Sequence, residues 1–323
     1  MTNFYFAPLE GVTGYTYRNV YEELFGDVDK YYAPFVSPST NTLLKGKEIR
    51  DLLPENNFKD IVLIPQILAN RADYFIKAAE QLEELGYKDE FNINIGCPSG
   101  TVVSKHKGAG FLTELDDMDR FFEQVFKWND NPNRGYKISV KTRIGMYEAK
   151  EFENILQVYN RYPISMLIVH PRTREMMYKG KPDLDAFKYA LNHSTNPLCY
   201  NGDINNVEDY NLILEELKKD APEIKLNNFM LGRGLIGNPN LINEIKGGES
   251  LTIEQLKKYH DKLYIEFEKI MKSDLHLLYK MKEYWNYMSW NFTDQHKCLK
   301  LIRKSQNIYK YHKAVETIFS SGF

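Results

Sequence analysis

Cys97 lies in the run Asn94-Ile95-Gly96-Cys97-Pro98, followed by Gly108-Ala109-Gly110. A thiol at the end of a strand-like run can attack as a nucleophile, donate a proton or simply pack. A second group is cationic: Lys141-Thr142-Arg143 and His170-Pro171-Arg172 each close a β-rich run. Positive charge in a water-poor cleft suits an anionic ligand, or a negative charge that develops during reaction. A lone histidine is more often structural, but two cationic segments beside His170 weaken that reading. A third group pairs Asn201-Gly202-Asp203 with Gly232-Arg233-Gly234. Asn-Gly-Asp alone reads as a plain turn.

Eight β-rich runs must position these groups: Asn3–Leu9, Lys30–Val36, Ile61–Leu68, Glu90–Gly96, Lys137–Gly145, Ser165–Arg172, Pro197–Ile204 and Asn227–Gly234. Helical patterns fall between them, at Tyr74–Leu85, Met118–Trp128, Phe152–Tyr162 and Val207–Leu217. Alternating units of this kind argue for a parallel sheet with crossover helices. Eight units predict an α/β fold, a closed TIM (β/α)8 barrel. Nearly every run ends in polar or glycine-rich residues, as a barrel needs when its active site is assembled at the C-terminal ends of the strands. Asn201-Gly202-Asp203 and Gly232-Arg233-Gly234 then follow the seventh and eighth strands, where such barrels frequently hold a phosphate. Gly232-Arg-Gly-Leu-Ile-Gly237 also matches the dinucleotide fingerprint GxGxxG. That motif requires a βαβ unit after it; only helical patterns follow, so the dinucleotide-binding fold is excluded.

After Gly247-Gly248 the β signals stop. Thr252 and Gln255 have the spacing of a capping box, and helical patterns run through Met271, Leu277–Ser289 and Asp294–Ser320. Two domains are predicted, a barrel over residues 1–245 and an all-helical C-terminal domain over 249–323. The net charge of −2 hides an asymmetry: from Glu244 onward 14 Lys+Arg stand against 10 Asp+Glu. From Lys280 the count is 8 against 3, with aromatic residues interleaved. That tail fits a polyanion-binding module or a solvated helical face; charge alone does not separate them. Three cysteines build no disulfide framework and suit a reducing compartment. No apolar run approaches the ~20 residues of a membrane span, and the first residues lack a signal-peptide pattern. A cytoplasmic location is expected.

Taken in order, these segments resemble the tRNA-dihydrouridine synthase family over roughly residues 4 to 245. The resemblance rests on Ala7-Pro8-Leu9-Glu10-Gly11-Val12-Thr13-Gly14 through Arg18, Asn94-Ile-Gly-Cys97-Pro98, Lys141-Thr-Arg143-Ile-Gly145, His170-Pro-Arg172-Thr173, Asn201-Gly202-Asp203-Ile204 and Leu231-Gly232-Arg233-Gly234. It implies FMN as cofactor, NADPH as electron source and tRNA as substrate; no metal is expected, and no protein partner is inferred. It implies that Pro8 and Leu9 border the flavin and that Gln66, Lys141 and His170 contact its ring. Asn201, Gly202, Asp203, Gly232 and Arg233 would hold the ribityl chain and phosphate. Asn94, Arg143 and Arg172 would face the target uracil, with Cys97 as general acid. Lys297, Lys300, Arg303, Lys304, Lys310 and Lys313, with Tyr284, Trp285 and Trp290, are the candidate tRNA contacts. This chain departs from the family pattern at Gly14 (often Asp), Leu9 (often Met) and Thr101 (often Lys); the last removes a cationic contact from the catalytic loop, for which Lys105 and Lys107 are the candidate replacements. The competing reading is an FMN barrel acting on a free small molecule such as dihydroorotate or a dihydropyrimidine.

Overall fold

The computed structural model describes residues 2–39, 44, 46–132, 134–219 and 226–321. Its strands are β1 (Asn3–Phe6), β2 (Lys30–Tyr32), β3 (Leu63–Ile64), β4 (Gln66–Ile67), β5 (Glu90–Ile95), β6 (Lys137–Arg143), β7 (Met166–His170), β8 (Leu198–Tyr200) and β9 (Asn228–Leu231). They pair in parallel in the order β3-β2-β1-β9-β8-β7-β6-β5-β4. The two ends of that order, β3 and β4, flank Pro65 in one extended segment, so the sheet closes into a barrel of eight strand positions. Proline has no N–H to give the ladder, which is why the predicted strand Ile61–Leu68 splits there. Its carbonyl still accepts from the Asn92 N–H at 3.0 Å, while Ile64 O accepts from Ala33 N–H at 2.9 Å. The predicted run Lys30–Val36 is likewise shorter: Pro34 intervenes, and Val36 rejoins only as an isolated bridge to Ile67.

The barrel walls bury a large apolar shell between sheet and helices, whereas the interior holds a small cluster of Tyr5, Ala7, Tyr32, Ile64, Ile168, Cys199 and Met230. Alternate residues of a strand face opposite sides. The interior parity therefore carries Gln66 on β4, Asn92 and Asn94 on β5, and Ser139 and Lys141 on β6, so polar groups climb one wall of the barrel.

The first crossover helix, Tyr15–Leu24, explains one departure from the family pattern. Its N-cap is Gly14, which has no side chain to cap with. Asp51 does the capping from another segment: its Oδ1 accepts from Tyr15 N–H at 2.6 Å and its Oδ2 pairs with Arg18 at 3.0 Å. A Cβ at residue 14 would stand 2.9 Å from Asp51 Oδ1, so the glycine makes the approach possible.

Helices Ile253–Ile270, Asp274–Met288, Gln295–Lys304 and Ile308–Ser321 follow the barrel. The Thr252/Gln255 capping box forms as its spacing predicts. The predicted stretch Asp294–Ser320 is two helices, because the first ends at Ser305. No helix among the described residues is long and apolar enough to cross a membrane.

These helices are bound tightly to the barrel. Tyr284 donates to Val12 O at 2.8 Å and stacks on Tyr17 with ring centres 5.3 Å apart. Asn291 donates to Gly237 O at 2.6 Å. Trp285 is fully buried and donates from Nε1 to Tyr311 Oη at 2.9 Å. Tyr284 and Trp285 are thus core residues, and neither can stack on RNA bases; of the three aromatic residues predicted to meet tRNA, Trp290 is the one left exposed. Trp285→Ala should cost about 3–5 kcal/mol, read as a lower urea midpoint for unfolding.

Candidate active site

A cleft of about 600 Å³ opens where the strand ends meet the helix Asp274–Met288. From the barrel it is lined by Pro8, Leu9, Gln66, Asn94, Cys97, Lys141, Arg143, His170, Tyr178 and Arg233, and from the C-terminal helices by Glu283, Asn286, Tyr287 and Trp290. The cationic strand ends and the thiol read from sequence therefore share one cavity.

Its floor is a ladder of buried amides. Asn92 Nδ2 donates to Ser139 Oγ at 2.8 Å, and Gln66 Nε2 donates to Asn92 Oδ1 at 2.7 Å. Asn94 Nδ2 donates to Gln66 Oε1 at 2.7 Å. Asn94 Oδ1 then accepts from two backbone groups, Gly96 N–H at 3.0 Å and Cys97 N–H at 2.9 Å. Each amide's orientation is dictated by the next, so the ladder ends by fixing the turn that carries Cys97. Asn94 lines the cleft as expected, and its oxygen also holds that turn. Asn92 and Ser139 escaped the sequence reading, although their period-two spacing from Asn94 and Lys141 carried the signal.

The rest of the Cys97 segment is packed just as closely. The sequence suggests a long loop from Cys97 to about Asp116; it folds into a short helix, Gly100–Val103, and a 3-10 segment, Gly108–Thr113. Gly108 has φ +56°, and a Cβ there would lie 2.8 Å from Cys97 O, so both backbone angle and space demand glycine. Thr101, Lys105 and Lys107 do not line the cleft. Lys107 Nζ donates to Pro38 O at 3.2 Å, so it does not supply the cationic contact expected in place of a lysine at 101.

Burial raises the Cys97 thiol above its ordinary pKa, against a hydrogen bond from the Ser99 backbone and the pull of Lys141 and Arg143. The sulfur is held protonated at neutral pH, fit to give a proton rather than to attack. Lys141 is pushed down to about 8 by burial and by Arg143, which the Cys199 and Cys97 thiols only partly offset. Arg143 is also lowered, to about 10, chiefly by burial. It donates from Nε to Gly96 O at 3.1 Å and from Nη1 to Thr173 O and Met177 O.

His170 is driven well below its ordinary pKa by burial and by Arg143, Lys141, Arg172 and Arg233. It is neutral, and its tautomer follows from its neighbour. Arg172 Nη1 lies 3.2 Å from His170 Nε2; a guanidinium can only donate, so Nε2 accepts and Nδ1 carries the proton. Arg172 itself is fully buried, paired with Asp203 at 2.5 Å and bonded to Gly180 O at 2.5 Å. It sits behind His170, not on the cleft wall.

The residues after β8 and β9 meet at one corner. Asp203 pairs with both Arg172 and Arg233, the latter at 2.6 Å, leaving one positive charge in excess. Burial alone would raise the Asp203 carboxyl, but the two guanidinium groups outweigh it and hold it low. Asn201 donates to Met230 O at 2.8 Å, and Gly232 packs against Ala7 and Leu9. Of Asn201, Gly202, Asp203, Gly232 and Arg233, Arg233 is the one that reaches the cavity wall. Above it Tyr178 lies 4.9 Å from the Arg233 guanidinium and 5.4 Å from that of Arg143.

The titration of Lys141 has a sign that can be checked in the ligand-free protein. Between about 8 and its ordinary 10.5 the unfolded chain binds this proton and the folded one does not. Stability from this group therefore rises with pH across that window. A Lys141→Met variant should lose that rise relative to the parent chain, measured by urea unfolding at stepped pH.

A model of the family described as Dihydrouridine synthase (Dus) matches residues 5–318. A probable tRNA-dihydrouridine synthase of Staphylococcus aureus (strain Mu50 / ATCC 700699) is 26% identical over 274 residues, covering 82% of this chain and 78% of the relative. One from Helicobacter pylori (strain ATCC 700392 / 26695) is 25% identical over 270 residues, covering 83% and 76%. The tRNA-dihydrouridine synthase B of Vibrio vulnificus (strain CMCP6) is 29% identical over 182 residues, covering 56% and 50%.

Proposed function

The chain belongs to the dihydrouridine synthase family, and from that premise we propose that this cleft reduces uridine in tRNA to 5,6-dihydrouridine, with Cys97 as the proton donor. The observation that carries the reading is the juxtaposition of a thiol held protonated with cations that outnumber the acids beside them. The family match runs through the C-terminal helices, and those helices form one wall of the cleft. Both points favour a macromolecular substrate over a free dihydropyrimidine or dihydroorotate.

The residues fit FMN. Pro8, Leu9 and Gln66 offer an apolar edge with an amide beside it, and Lys141 is a buried cation facing the cavity. Neutral His170 would present its Nδ1–H as a donor. The excess positive charge shared by Arg172, Asp203 and Arg233 would take the phosphate, with Asn201, Gly202 and Gly232 shaping that corner. Bound FMN, recharged by NADPH, would supply the hydride that saturates C6 of the uracil. As C6 gains that hydride, negative charge builds on C5 and the O4 carbonyl, and Lys141 and Arg143 lower its energy through a poorly hydrated medium. Cys97 then gives its proton to C5. The C5–C6 double bond becomes single, and solvent returns a proton to the sulfur.

A uridine inside folded tRNA must leave its stack to reach this depth. Tyr178, Tyr287 and Trp290 line the way in and would receive it by stacking. Lys297, Lys300, Arg303, Lys304, Lys310 and Lys313 are all exposed on the C-terminal helices and would hold the RNA backbone. Arg303 donates to Asn286 on the cleft wall at 3.3 Å, so this basic face reaches the rim of the cavity. A tRNA substrate argues for a cytoplasmic site of action.

Cys97→Ala should bind tRNA normally and form dihydrouridine ~10²–10⁴-fold more slowly, measured by mass spectrometry of tRNA in single turnover; near-parental rates would refute the acid assignment. Changing Lys297, Lys300 and Arg303 to Gln should weaken tRNA binding. It should also flatten the plot of log affinity against log salt by ~0.7 to 0.9 for every phosphate that is no longer neutralised.

A further inference from the structure

Three consecutive carbonyls run through the acid segment, and each meets a different donor. Gly96 O takes Arg143 Nε at 3.1 Å, Cys97 O takes Ala109 N–H at 3.0 Å, and Pro98 O takes Arg174 Nε at 3.3 Å. With Gly96 N–H and Cys97 N–H held by Asn94, the backbone on both sides of the thiol is tied down, and the sulfur itself is hydrogen-bonded to the Ser99 backbone. Arg174 is the one side chain of this clamp that stands outside both the cleft wall and the amide ladder, since Ala109 donates from its backbone. It is anchored where it begins: its own N–H donates to Gly145 O at 2.9 Å, and the next N–H, of Glu175, donates to Met146 O at 3.1 Å. Its Nη1 pairs with Glu175 at 2.7 Å, which orients the guanidinium so that Nε faces Pro98.

We propose that Arg174 is a positioning residue for the proton donor, holding the Cys97 turn through Pro98 so that the sulfur stays aimed at C5 of the uracil. The reading rests on Cys97 as the acid. The rival role for a cation near the mouth of this cleft is a salt link to an RNA phosphate. The two differ in what they need: a phosphate contact needs charge, whereas the clamp needs a donor part-way along the side chain. Lysine keeps the first and lacks the second.

The test reads the thiol directly. Cys199 and Cys298 are fully buried, so alkylation of the native protein by iodoacetamide reports on Cys97. Arg174→Lys should raise the alkylation rate about 10-fold, the scale of one hydrogen bond from a charged donor. Dihydrouridine formation at saturating tRNA should fall about 10-fold or more, as misplacement of a reacting group does, with the tRNA concentration for half-maximal rate unchanged. Glu175→Gln, which frees Nη1 but keeps Arg174, should move both rates in the same direction by less. Unchanged alkylation in Arg174→Lys overturns the proposal. So does parental turnover in the lysine variant alongside weakened tRNA binding in Arg174→Ala, which would make Arg174 a phosphate contact. Alkylation needs neither cofactor nor RNA, so its failure would count against Arg174 and leave the role of Cys97 standing.

Discussion

Polar side chains inside a closed barrel have no water to turn to, and each must find its partner among the others. The ladder from Ser139 through Asn92 and Gln66 to Asn94 satisfies that condition with four side chains in series. Its direction matters as much as its completeness. Ser139 closes the ladder at one end, and at the other the Asn94 oxygen remains to receive Gly96 N–H and Cys97 N–H. A buried amide left unpaired here would be costly, so the hydrogen-bonding needs of the interior and the placement of the acid are met by the same atoms. The clamp on the Gly96, Cys97 and Pro98 carbonyls then acts on a turn that is already oriented.

Charge in the mouth obeys the opposite rule. Lys141, Arg143 and Arg233 converge with less negative charge than they need, since Asp203 must serve both Arg172 and Arg233. Burial first, and the neighbouring cations second, lower the pKa of each group there, which is why His170 stays neutral and Lys141 titrates near 8. An anionic ligand would relieve this imbalance. Strain of this kind collects at functional sites and is offset elsewhere in the fold. Tyr284, stacked on Tyr17 and bonded to Val12 O, fastens the C-terminal helices to the first crossover helix and the turn before it.

Much of this was readable in the chain. Spacing of β-rich runs, polar strand ends, the Thr252 cap and the absence of any βαβ unit after Gly237 led to a barrel with helices behind it, and the cationic and thiol residues do converge on one cleft. These features are local, written in periodicity and in turn chemistry that neighbouring residues settle among themselves. The split strand at Pro65 was local too, and the missing N–H of a proline could have foretold it.

What the chain alone could not decide is which way a side chain turns when two faces compete for it. Tyr284 and Trp285 read as RNA contacts because they are aromatic within a basic stretch, but burying them against Val12 and Tyr311 gains more than exposing them. Arg172 read as substrate-facing from its place at a strand end; with Asp203 within reach it turns behind His170 and sets that ring's tautomer. Glu283, Asn286 and Tyr287 join the cleft from nearly two hundred residues beyond Cys97 in the chain, and no spacing in the sequence records that contact. Sequence determined the elements and the chemical repertoire, because those depend on neighbours along the chain. Tertiary structure decided orientation, pairing and protonation, because those depend on which distant groups share a desolvated space.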